Sequence, residues 1–147
     1  MIDRYEQLSF YIGSIYRAIH KIEKDVMQKH GLRGSYAQYL VAMSRYPEGI
    51  TASRLCELCD KDKAATSRVI AEMEELGLIS RNGFSAYRAT LQLTDKGKEI
   101  AQYVLHNVKV AVIRAGEGLN DTDRKTFYDA LKLIEGNLRD ISKDGLE

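Results

Sequence analysis

Between Ile50 and Arg81 the chain reads ITASRLCELCDKDKAATSRVIAEMEELGLISR, and no other segment constrains the fold as tightly. Thr51 is placed to cap a short helix running through Leu58, in which Leu55, Cys56, Leu58 and Cys59 recur at helical spacing. The polar run Asp60, Lys61, Asp62, Lys63 supplies a tight turn, and Asp62 caps a second helix. That helix keeps Val69, Ile70, Met73 and Leu76 for packing until Gly77 stops it. Its first two turns present Lys63, Ala64, Thr66, Ser67 and Arg68. Small residues beside an Arg suit close approach to a major groove, where Arg reads guanine bidentately and Ser or Thr bonds base or phosphate.

After Gly77 the period changes from helical to alternating, with Leu78 and Ile79 on one side and Leu91 and Leu93 on the other. This predicts a two-stranded hairpin with Asn82 and Gly83 as turn formers. Its tip carries Arg81, Tyr87 and Arg88 with no acidic residue among them, a basic finger suited to a phosphate-lined minor groove. With Gly31-Leu32, a Tyr36 to Tyr46 helix, Pro47, GLISR at 77–81 and LTDKG at 93–97, the chain resembles the MarR family of bacterial winged helix-turn-helix transcriptional regulators, roughly from Tyr5 to Ile141. The wing departs from that pattern. Where the family usually has an Asp followed two residues later by an Arg, this chain has Ser85 and Tyr87, and its arginine stands one place along at Arg88. Neighbouring residues on a strand point to opposite faces, so the shift turns the basic group away from DNA unless the tip is bulged.

At 147 residues and 44% hydrophobic the chain has material for one ordinary core. No apolar run approaches the roughly 20 residues that span a bilayer, and MIDRYEQLSF is too polar for a secretory signal, so a cytoplasmic, membrane-free protein is expected. The net charge of +1 does not announce a nucleic-acid partner. The case rests on placement, with Lys61, Lys63, Arg68, Arg81 and Arg88 near the expected DNA face and Glu72, Glu74 and Glu75 offsetting them.

The flanks account for the remaining length. In the first helix Tyr5, Leu8, Ile12, Ile15, Ile19, Ile22 and Val26 alternate three and four apart, and in the last Phe127, Leu131, Ile134, Leu138 and Ile141 do the same. Thr94 caps a third long segment through about Ala115, where Ile100, Val104, Leu105, Val108, Val112 and Ile113 leave few polar sides, so this segment is expected to be buried. Asn120 caps the last helix. The predicted fold is mainly α: a winged helix-turn-helix with a small β-hairpin wing over residues 31–98, flanked by long helices at 1–30 and 99–147 that form a dimerisation layer. A second copy across a twofold axis is the simplest partner for Leu8, Ile12, Ile15, Ile19, Leu131, Ile134 and Leu138; a monomeric bundle is the alternative.

Cys56 and Cys59 fall at apolar positions of the first motif helix, where cysteine acts as a small hydrophobe; a thiol switch or a dithiol redox enzyme is the competing reading. His20, His30 and His106 are too scattered to complete a metal site with them, and no phosphate loop or nucleophile triad is present. Neither a metal, a cofactor nor an enzymatic activity is therefore expected. Nine tyrosines against three phenylalanines is a skew. Tyr11, Tyr16, Tyr36, Tyr39, Met43, Tyr103 and His106 lie on the three helices that, by resemblance, line a crevice for small aromatic or phenolic ligands; packing with hydroxyls at the rim is the alternative. The functional expectation is a homodimeric, ligand-responsive repressor on a pseudo-palindromic double-stranded DNA operator. The rivals are a winged helix serving only protein interaction and a thiol-responsive regulator.

Overall fold

The computed structural model describes residues 2–83 and 89–146. In order, α1 (Ile2–Lys29), α2 (Tyr36–Met43), β1 (Ile50–Thr51), α3 (Ala52–Cys59), α4 (Lys63–Glu75), β2 (Ile79–Asn82), β3 (Thr90–Leu93), α5 (Asp95–Ala115) and α6 (Asp121–Asp144) build a mainly helical winged helix-turn-helix. The hairpin of β2 and β3 is joined by β1, giving an antiparallel sheet in the order β1-β3-β2. Ile50 faces Leu91, and Ile79 faces Leu93. A two-residue strand carries no alternation to read, and Thr51 was spoken for as a cap, which is why β1 escapes sequence analysis.

Residues 1–109 form one compact unit and 110–147 a second. The core of the first is centred on α2, whose Tyr36, Ala37, Tyr39, Leu40 and Met43 are all buried. Against it pack Met27 from the end of α1, Leu55 of α3, Ile70 and Met73 of α4, Leu91 of β3 and Ile100 and Val104 of α5. The α2 helix stops at Met43, short of the expected Tyr46: the next amides reach back only three residues, Arg45 to Ala42 and Tyr46 to Met43, so the chain tightens into a turn before Pro47.

One sequence expectation needs correction. The α5 helix is buried only at Gly97, Ile100, Ala101 and Val104; beyond them Val112 is exposed and Ile113 stands 67% exposed, because the core of the first unit ends there. On the outer seams Leu8, Ile12 and Ile15 of α1 are exposed, and α6 buries no residue, with Leu138 exposed. Burying a large aliphatic side chain contributes about 1.5 to 3 kcal/mol, so these stripes are a large unsatisfied apolar surface. Among the described residues no helix is long and apolar enough to cross a membrane.

Candidate nucleic-acid interface and adjoining crevice

The helix-turn-helix is held by its caps. The Thr51 hydroxyl accepts from the Arg54 amide at 3.2 Å, and the Asp62 carboxylate accepts from the Ala64 amide at 2.8 Å. Between the two helices Asp60 adopts a left-handed conformation, φ 49°, which ends α3 and aims the chain into α4. The Cys56 thiol donates to the Lys61 carbonyl at 3.0 Å and ties down the turn.

Helical period then divides α4 into faces. Lys63, Ala64, Ser67 and Arg68 are exposed, and so is Ala71, one turn beyond Ser67, a small residue on the same stripe that sequence analysis passed over although its i+4 spacing marks it. Thr66 must be removed from the expected DNA face. It is 2% exposed and points into the core, where its hydroxyl pairs with the Tyr39 hydroxyl at 3.1 Å. Two positions from either neighbour of the outward stripe, a helical residue turns inward, so Thr66 joins Ile70 and Met73.

The acidic residues of α4 are held as well. Glu72 accepts from the Tyr36 hydroxyl at 2.5 Å and from Arg33 Nη1 at 3.3 Å. The Tyr36 hydroxyl, followed by the Arg33 guanidinium, holds the Glu72 carboxyl below the ordinary glutamate range, against an opposing effect of burial. Burial and then the Glu72 bond push the Tyr36 phenol up. Glu74 takes a two-nitrogen bond from Arg81, at 3.2 Å from Nε and 2.6 Å from Nη2. Arg81, expected at the DNA face, is thereby partnered to the end of α4. Among the described residues no carboxylate bridges Lys63 or Arg68. The amino-terminal half of α4, with its positive dipole end, is therefore a basic edge free of direct ion pairs, although Arg68 lies near enough to Glu72 to help lower its carboxyl. Ser85, Tyr87 and Arg88 of the wing lie outside the described residues.

The far end of α4 is joined to α5. Gly77 turns left-handed, φ 71°, Leu78 N–H reaches back to the Met73 carbonyl at 2.9 Å, and the Thr94 hydroxyl donates to the Gly77 carbonyl at 2.6 Å. Lys96 Nζ donates to the Leu76 carbonyl at 3.2 Å. Gly97 sits so close that a Cβ there would fall 2.0 Å from the Leu78 carbonyl oxygen, which explains the glycine of the LTDKG run.

Behind the recognition helix, α1, the 31–35 turn and α2 enclose a crevice of about 880 Å³. Of the seven expected pocket residues only Tyr16 and Tyr39 line it. Tyr36 and Met43 are core, Tyr11 lies far out on exposed α1, Tyr103 packs edge-on against His30, and His106 is exposed on α5. The crevice carries a polar cluster at one wall. His20 Nδ1 lies 2.7 Å from Glu23, the Gln38 amide approaches its Nε2 at 3.0 Å, and Tyr16 stands edge-on to the same ring at 4.0 Å. Lys61, expected on DNA, also lines it, as do Ala65 and Val69 on the back of α4. Sequence analysis treated His20 as one of three scattered histidines because its neighbour Gln38 belongs to a different helix.

Both cysteines are free and half-buried; Cys59 packs against the core in which Leu55 is fully buried. Burial pushes the Cys59 thiol up, which disfavours the reactive thiolate.

The family model described as "MarR family" matches residues 30–84. None of the curated proteins matches the chain. Among solved structures, a MarR family transcriptional regulator from Listeria monocytogenes, crystallised with 26mer DNA, is 25% identical over 92% of this chain and 93% of its own, with a TM-score of 0.78. The transcriptional regulator SlyA is 25% identical over 89% of this chain and 93% of its own, TM-score 0.79. A MarR regulator from Methanosarcina mazei Go1 shares the fold, at 20% identity over 92% of each chain and a TM-score of 0.80. Residues 30–84 thus match the MarR family model, and over about nine-tenths of its length the chain shares the fold of MarR family transcriptional regulators.

Proposed function

We propose that the chain is a homodimeric repressor that reads a pseudo-palindromic operator with α4 in the major groove, half-site centres about 10 bp apart. The observation that carries this is the exposed edge of Lys63, Ala64, Ser67 and Arg68 on a capped helix whose acids at Glu72 and Glu74 are already bonded elsewhere. The Listeria relative bound to 26mer DNA supports the same use of the fold. Residues 31–98 serve as the reading head, and 1–30 with 99–147 as the dimerisation layer. Leu8, Ile12, Ile15 and Ile19 of α1 and Leu131, Ile134 and Leu138 of α6 form the interface, which gives the exposed stripes their partner. A small aromatic or phenolic ligand enters the crevice, where Tyr16 offers a ring and Gln38 and His20 offer hydrogen bonds. Because Ala65 and Val69 form one wall, an occupant with different affinity for two placements of α4 shifts DNA affinity by that difference. Arg88 contacts the minor-groove backbone.

The test is binding of genomic duplexes across a salt series. Repression through DNA requires a duplex-selective shift whose affinity falls steeply with salt. No selective shift at low salt leaves the winged helix as a protein-interaction module.

A further inference from the structure

Thr66 is the one buried polar residue among the described residues, and its bond to Tyr39 is the one fully buried pairing of two side chains among them. The other side-chain hydrogen bond between α4 and α2, from the Tyr36 hydroxyl to Glu72, lies at a partly exposed rim two turns further along α4; the rest of the buried cluster is apolar, with Ile70 and Met73 of α4 and Leu40 and Met43 of α2 among its members. Apolar contact is non-directional, so a helix seated on it alone rotates or slides with little loss of burial. A buried hydrogen bond is directional, and it is costly to leave unmade. Thr66 stands in the second turn of α4, flanked by Ser67 and Arg68 of the exposed edge, so whatever fixes Thr66 fixes the angle at which those side chains leave the surface.

We propose that the Tyr39–Thr66 pair is a positioning latch that sets the rotation of the recognition helix and, through it, discrimination between DNA sequences. The two hydroxyls touch no base or phosphate. The latch rests on the sequence-specific DNA binding proposed above.

The two partners are not equivalent in stability. Without the Tyr39 hydroxyl, Thr66 can bond the carbonyl one turn back, that of Asp62, as threonines in helices do, so Tyr39→Phe leaves no orphan. Thr66→Val strands the Tyr39 hydroxyl in the core and destabilises the chain more. Both changes free the second turn of α4 alike, leaving only the Tyr36–Glu72 bond nearer its far end. Stability and discrimination thus move apart, which a merely structural role does not allow.

The probe is a duplex enriched from a random pool by the unmutated protein, measured against a scrambled duplex of the same length and composition. Partial unfolding lowers affinity for both duplexes together, so their ratio reports position alone. Tyr39→Phe and Thr66→Val should each lower the ratio by about tenfold, the scale of one lost base contact, with scrambled-duplex affinity kept. Thr66→Ser, which retains the hydroxyl, should restore the ratio, and the double variant Tyr39→Phe/Thr66→Val should lose no more than either single one. A ratio unchanged in Tyr39→Phe and Thr66→Val overturns the latch while leaving DNA binding intact. Failure of the unmutated protein to enrich any duplex overturns the DNA-binding reading, and the latch with it.

Discussion

Gly97→Ala tests how rigidly α5 is joined to the recognition helix. On helix propensity alone the change stabilises, since alanine is favoured over glycine by up to about 1 kcal/mol within a helix. The structure predicts the opposite sign. A methyl at Gly97 would lie 2.0 Å from the Leu78 carbonyl oxygen, far inside contact, and that oxygen is already bonded by the Thr94 amide at 3.0 Å. Relief requires the first turn of α5 to withdraw, stretching the Thr94 amide bond and the contacts of Thr94 and Lys96 to the end of α4. Overpacking costs about 1 to 3 kcal/mol and the hydrogen bond about 1 more, leaving a net loss of about 1 to 3 kcal/mol after a propensity gain of about 1 kcal/mol. At this chain length that lowers Tm by about 2 to 12 °C, readable by circular dichroism at fixed protein concentration. An unchanged or raised Tm would show that α5 slides away from Leu78 freely, and that the splice does not fix the recognition helix.

Three further outcomes follow from the site. Arg68→Ala should weaken operator binding by about 1 to 3 kcal/mol with an unchanged circular dichroism melt, and undiminished binding in a titration would remove Arg68 from the interface. Ile15→Glu or Leu138→Glu should abolish the dimer in sedimentation, since an unpaired carboxylate in an apolar interface costs several kcal/mol; a dimer that survives both changes would place the interface elsewhere. Tyr36→Phe should flatten the acid side of the stability profile. The Glu72 carboxyl is depressed in the folded chain, so its contribution is present above the ordinary glutamate value of 4.5 and is lost as pH falls through the lower folded value. An acid slope identical to that of the unmutated chain, from melts taken between about pH 2 and 6, would show that the bond does not set that ionisation.

The caps were legible because they are local: Thr51, Asp62, Thr94 and Asn120 each accept from an amide two or three residues on. The helix-turn-helix followed from them. What could not be read was set by partners distant in the chain. Thr66 looked like a groove contact until Tyr39, 27 positions earlier, took its hydroxyl. Arg81 looked like a free cation until Glu74 was found across the turn to β2. The expected pocket tyrosines shared helices with the crevice, but which face of α2 turned toward it depended on the whole core, and Met43 and Tyr36 went inward. The resemblance located the reading head well and the crevice only by its helices.

Sedimentation of the chain with its enriched duplex tests the central claim most directly. Two chains of 16.7 kDa should bind one duplex bearing two half-sites about 10 bp apart, and the free protein should already be a dimer at micromolar concentration. A free monomer that still binds a two-half-site duplex tightly, or one chain on one duplex, would contradict the account.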